Sequence, residues 1–286
     1  MKCIFCKIDS ASSRSVEHVM PESFGNKDHI LPPGWVCDAC NNYLSIKVEA
    51  PFLTSWWGRT VRFGMSVESK KGKIPVGKAV HLRTRTHLDI VRGNKGAIIG
   101  PAADQDAAPW VQYLAENIHG TIYSPIADLP PTDYDTSRFI AKVSVEVLAL
   151  RMAHIPGANQ ELVNQAALDP IRNYVRRGKP GFVWPLRMRR IYPGNFTFVD
   201  QSSEYFEVLH EWDVLPVSSN GVEGVELFVV VALFGVEFVI NLGGPDLTSY
   251  DRWLLENNNA SYLYSRVPGD INSIGAFLKK ECPPML

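Results

Sequence analysis

The sequence predicts an α+β protein in two parts: a small cysteine-rich unit over residues 1–55 and a larger mixed α+β body over 56–286. Three observations carry this. Two CxxC pairs fall within the first forty residues, with little helical periodicity between them. Polar and apolar residues alternate with period two across residues 59–100, and strand character returns across 182–243, as half-buried or buried strands require. Between those stretches the apolar period changes to about 3.6, the helical value.

In chain order, "NNYLSIKVEAPFLTSWW" places Leu44, Val48 and Phe52 at helical spacing, so a helix starts at the second CxxC and ends or bends near Pro51. The strand reading of 59–100 rests on "KIPVGKAVHLRTRTHLDIV", with "SKKGK" and "RGNKG" as turns. A looser stretch follows, rich in Pro and Asp in "PIADLPPTDYDTS". "SRFIAKVSVEVLALRMAHI" is an amphipathic or buried helix capped by Asp135, Thr136 or Ser137. A shorter helical segment, "NQELVNQAALDPIRNYVRRG", has Pro170 opening its last part and Gly178 ending it. A hairpin through "LFGVEF", a short helix in "SYDRWLLENN" and a loose tail containing "KKECPPML" complete the chain.

Cys3, Cys6, Cys37 and Cys40 form the two CxxC pairs, separated by 30 residues; Cys282 is a bystander. Each pair makes a tight turn presenting two thiolates, and two such turns complete a tetrahedral four-sulfur site for structural Zn²⁺. A unit with so few core residues gains folding energy from such a metal. No apolar run matches a secretion signal or a membrane span, so a soluble, cytoplasmic protein with no membrane partner is expected.

The net charge of −1 conceals an uneven distribution. Residues 59–100 hold ten Lys and Arg against two acids, and residues 171–190 hold seven against none. Two basic blocks on an otherwise acidic chain are what a polyanion-facing surface requires. Arg83 and Arg85 alternate with apolar residues on a predicted strand, and Arg187, Arg189 and Arg190 lie near Trp184, a combination suited to a nucleic-acid backbone with base stacking. The competing reading makes Trp184 core and pairs the arginines with the acids of the same half.

Between the cysteine pairs lies "SVEHVMPESFGN", with Glu17 directly before His18 and Pro21 three residues on. Together "CIFC", "VEHVMPESFGN" and "VCDACNNYLS" resemble the HNH endonucleases of the zinc-containing ββα-metal type. The likeness covers roughly the first fifty residues. It implies a zinc-bound ββα-metal unit with His18 as general base, Glu17 and Asn41 as ligands of a catalytic Mg²⁺ or Mn²⁺, and Lys47 as a phosphate contact or a solvated helix residue. The chemistry agrees: a neutral imidazole takes the proton of an attacking water near neutral pH, and a hard cation with few oxygen ligands offsets charge on the phosphate. The family's usual Asn shortly before the second CxxC is absent, since Pro32 stands there. His29, Asn26, Asn42 or a backbone carbonyl are the candidates to replace it.

The resemblance implies a DNA endonuclease, DNA rather than RNA being the substrate, acting in bacterial defence, restriction or a mobile element. A non-catalytic zinc module that only grips nucleic acid, and an accessory protein active only with a protein partner or a second copy, are the alternatives. Residues 56–286 carry no catalytic motif, and nucleic-acid or partner binding is their expected role.

Overall fold

The computed structural model describes residues 1–264 apart from 94–95, 118, 180, 194–196, 200–204 and 219–223. Cys282 and the C-terminal tail lie outside the described residues. Two knuckles open the chain. In the first, Lys7 N–H donates to the Cys3 carbonyl at 2.8 Å and Lys7 takes a positive φ of 62°. The second begins helix α1 (Asp38–Leu44), whose cap is Cys37, its sulfur accepting from the Cys40 N–H. The Ile4 N–H donates to the Trp35 carbonyl at 2.8 Å and ties the knuckles together.

Residues 17–19 run antiparallel to 29–31. Val19 N–H donates to the His29 carbonyl, Leu31 N–H donates to the Glu17 carbonyl, and His18 faces Ile30. The pairing is too short to form long strands, yet with α1 it makes the expected ββα arrangement. After α1 the helix widens through a π turn at Ser45–Glu49 before α2 (Ala50–Thr54) and α3 (Trp56–Gly64). Pro51 lacks the N–H that would bond the Lys47 carbonyl, and Arg138 donates to that carbonyl instead at 3.2 Å. The bend expected at Pro51 is therefore a π turn, with Leu44, Val48 and Phe52 still buried along it.

Helix α3 corrects the strand reading of residues 59–64. Ser55 Oγ accepts from the Gly58 N–H and starts a helix that the β-forming Thr60, Val61 and Phe63 disguise. The strands begin later: β1 (Gly77–His81), β2 (Thr86–Gly93), β3 (Gly96–Pro101) and β4 (Ile122–Tyr123) form an antiparallel sheet in the order β3-β2-β1-β4. The stretch read as loose contains helix α4 (Ala108–Glu116), with Pro109 in its first turn and the Asp106 carboxylate accepting from Ala108 N–H.

Helix α5 (Tyr134–Met152) starts earlier than the proposed caps, because Asp133 accepts from the Thr136 N–H at 2.8 Å. Almost all of it is buried. Helices α6 (Ala158–Asn164) and α7 (Asp169–Arg177) follow, and α7 ends at Gly178, φ 64°. The second antiparallel sheet has the order β5-β10-β9-β8, from β5 (Arg187–Arg190), β8 (His210–Ser218), β9 (Val225–Leu233) and β10 (Val236–Asn241); β6 (Thr197–Val199) pairs with β7 (Tyr205–Glu207). Phe234 and Gly235, both at positive φ, turn the β9–β10 hairpin as a two-residue primed turn. Helix α8 (Thr248–Glu256) packs on the end of this region.

One aromatic core joins the cysteine unit to the body. Phe52 stacks on Phe139 of α5 at 4.3 Å, Phe24 meets both edge-on, and Trp57 packs on Phe234 and Phe238. Helix α5 thus lies directly behind the cysteine unit. None of the helices among the described residues is long and apolar enough to cross a membrane.

Candidate active site

Cys3, Cys6, Cys37 and Cys40 bring all four sulfurs within 4.8 Å of one another, none in a disulfide. A zinc–sulfur tetrahedron needs edges of about 3.8 Å, and Cys6 Sγ lies 3.6 Å from Cys37 Sγ. The hydrogen bond with Cys40 holds Cys3 down to about 4, whereas burial pushes Cys6 up to about 11 and the Cys3 interaction raises Cys40. The donor set fits a metal such as zinc.

The knuckle also places the acid–His pair. The Asp38 carboxylate accepts from Arg14 N–H at 2.9 Å and Ser15 N–H at 2.8 Å, fastening the chain that runs into Glu17 to the start of α1. Asn41, one turn on, donates its amide N–H to the Val16 carbonyl at 3.0 Å. That bond uses the donor end of the amide and leaves Oδ1 as its acceptor. Glu17 and His18, adjacent in sequence, and Asn41 of α1 line one cleft of about 290 Å³ together with Ser45, Glu49, Glu22, Lys70 and Lys71. A carboxylate and an amide lining the same cleft fit the small oxygen set of a magnesium-like ion.

His18 sits partly buried at the cleft, and burial lowers its pKa from the ordinary value, partly offset by Glu22. Its Nε2 lies 3.7 Å from Glu22 Oε1, and Lys70 holds the other Glu22 oxygen at 2.9 Å. Burial thus favours the neutral imidazole, the form that accepts a proton.

Among the described residues, neither Asn26, His29 nor Asn42 hydrogen-bonds to the His18 ring. Asn26 is buried and stitches the turn: its amide donates to the Met20 and His29 carbonyls and accepts from Asp28 and His29 N–H. His29 packs on Trp212, centroids 4.6 Å apart. Asn42 is exposed.

The arginines fall elsewhere. Arg83 and Arg85 occupy the β1–β2 turn rather than a strand face, because the His81 ring pairs with the Thr84 hydroxyl at 2.9 Å and closes the chain there. Arg187 makes two bonds to Asp251, Arg189 pairs with Glu237 at 2.6 Å, and Arg190 pairs with Asp128 at 3.1 Å. Trp184 is core, its indole donating to the Asn241 carbonyl. The acid-pairing reading of that block is the one observed. Lys47 is exposed and does not line the cleft, lying off the Asn41–Ser45–Glu49 row.

Sequence reasoning missed the group closest to Glu17. Lys142, fully buried on α5, donates to Glu17 Oε1 at 2.7 Å and to the His18 carbonyl at 3.2 Å, and sits 2.7 Å from both Glu49 and Glu146. Burial alone would lower the Lys142 pKa, but Glu146, Glu17 and Glu49 hold it well above the ordinary value. Burial raises Glu17 despite the ammonium, and raises Glu146 far more. A signal was present: Lys142 and Glu146 are four residues apart in an otherwise apolar helical run.

Residues 3–56 match the family model described as HNH endonuclease. No curated protein sequence and no solved structure matches the chain.

Proposed function

Taking residues 3–56 as an HNH endonuclease unit, we propose that this protein is a metal-dependent endonuclease that hydrolyses DNA phosphodiester bonds. The observation that carries the reading is the cleft itself, where an imidazole, a carboxylate and an amide from three chain positions meet beside two lysines. Structural zinc on Cys3, Cys6, Cys37 and Cys40 holds the knuckles. Glu17 and Asn41 would hold the catalytic magnesium or manganese ion. That ion, when bound, neutralises charge developing on the phosphate oxygens.

The residues of the chain supply the rest. Lys70 and Lys71 attract the DNA backbone to the cleft rim. The His18 ring takes a proton from the water that attacks phosphorus, as the P–O bond to the leaving sugar oxygen breaks. Glu22, beside Nε2, stabilises the imidazolium that results. The preference for DNA over RNA rests on the HNH match.

The experiment is nicking of supercoiled plasmid by zinc-loaded protein in magnesium or manganese, with Glu17→Gln and Asn41→Ala alongside. Metal-dependent nicking by the wild type, lost in both variants, is expected. DNA binding without nicking in any divalent metal would make the protein a binding module instead.

A further inference from the structure

We propose that the catalytic metal site has a third oxygen donor, Glu49, and that Lys142 of α5 is the positioning residue that sets Glu49 and Glu17 side by side. The inference rests on the nuclease reading above and extends it to the body of the protein. It would give residues 56–286 a direct part in the site.

Glu17 comes from the short strand and Glu49 from the π turn, yet the Oε1 atoms of both lie 2.7 Å from one ammonium. Those two oxygens are therefore no farther apart than twice that distance. Lys142 takes one oxygen from each carboxylate, and both residues line the cleft that holds His18 and Asn41. Asn41, Ser45 and Glu49 follow one another at four-residue steps along the helix, so the proposed amide ligand and Glu49 share a face. The widened turn at Ser45–Glu49 is the kind of helical irregularity that recurs at functional sites.

Lys142 is placed with unusual constraint. Glu146, one turn along α5 and fully buried, approaches the ammonium from its own helix at 2.7 Å. Among the described residues no donor other than the Lys142 ammonium is given for its carboxylate. Arg138, one turn earlier, reaches across to the Tyr43 hydroxyl and the Lys47 carbonyl, docking α5 against the same helical segment that carries Asn41 and Glu49. A fully buried ammonium costs several kcal/mol to desolvate, and apolar replacements of such clusters are often neutral or stabilising. Fold alone does not call for this one. Two carboxylates that share one ammonium and line the same cleft do have a use, as ligands for a divalent ion.

The test is Mn²⁺ binding to the zinc-loaded full chain, followed by calorimetry and by the electron-spin-resonance signal of free Mn²⁺, for wild type, Glu49→Gln and Lys142→Met. Zinc content and circular dichroism report folding. Loss of a partner that orients a metal ligand typically weakens metal affinity about 10–100-fold. We expect both variants to bind Mn²⁺ that much more weakly, and the Mn²⁺ concentration for half-maximal nicking to rise equally, with DNA affinity unchanged. If Lys142→Met loses its zinc, Glu49→Gln decides the matter, since Glu49 reaches the cleft rim and its near-isosteric variant keeps the shape. Wild-type affinity in Glu49→Gln, or tighter binding in a folded Lys142→Met, would overturn the inference while the nuclease reading stands. A wild type that binds no Mn²⁺ would overturn both.

Discussion

Asn26 offers the sharpest test of how the acid–His segment is held. Its side chain is buried and takes part in four hydrogen bonds, two donated, to Met20 and His29 carbonyls at 2.7 and 3.0 Å, and two accepted, from Asp28 and His29 N–H at 3.2 and 3.0 Å. Asn26→Ala removes all four. The Met20 carbonyl belongs to a fully buried residue, and stranding such a group costs about 1–3 kcal/mol. The other three groups lie nearer solvent, and water recovers part of each, leaving about 0.5–1 kcal/mol apiece. The sum is about 4 kcal/mol, a large share of the stability of an ordinary domain. Urea unfolding followed by circular dichroism should show that loss, and nicking should fall with it, because the segment that Asn26 closes carries His18. Asn26→Asp keeps the two accepted bonds but sets a carboxylate oxygen in place of the donor, against two carbonyls, so it should lose at least as much. A change below about 1 kcal/mol in Asn26→Ala would refute the reasoning.

The remaining predictions use other parts of the molecule. Strong chelators should strip one metal per chain from the cysteine site and unfold the N-terminal unit, since structural zinc contributes about 10–16 kcal/mol of apparent binding energy in small domains; metal release measured with a colorimetric indicator should coincide with loss of helical signal. Lys71→Ala should weaken DNA binding and lower the slope of log affinity against log salt by about one, while Arg187→Ala and Arg190→Ala, already paired to Asp251 and Asp128, leave that slope unchanged. His210 is held down to about 4 by burial, with the neighbouring His29 adding to it, and its ring stacks on Trp212. The unfolded chain takes up a proton there near pH 6.5 and the folded one does not, so stability is full above that pH and falls as pH drops towards 4, by at most about 3 kcal/mol. His210→Phe, which keeps the stack but cannot titrate, should flatten the decline seen in thermal unfolding across that window.

Much of the site was legible in the sequence because its parts are local. Two CxxC turns, an acid–His pair and an Asn at the start of a helix each act within a few residues; the turns bring the four sulfurs together, and the ββα geometry brings the acid–His pair and the Asn to one cleft. Helices α5 and α7 followed their apolar periods, and the "LFGVEF" hairpin followed its turn residues. Errors arose where tertiary contacts overrode local pattern. Helix α3 is held by the Ser55 cap and by Trp57 in the shared core, although its residues favour strands. The turn carrying Arg83 and Arg85 depends on the His81–Thr84 contact, which alternation does not report. Lys142 is 125 residues from Glu17. No local period could pair them, and only the oddity of a charged pair inside an apolar helix marked the place.

The proposed mechanism makes His18 the general base of a metal-dependent nuclease. Single-turnover nicking by wild type and His18→Ala, at equal zinc content and saturating DNA and manganese, tests it most directly. A rate about 10²–10⁴ lower in the variant, the usual contribution of a positioned base, is expected, with DNA affinity retained. Equal rates in the two proteins would contradict it and place the chemistry elsewhere.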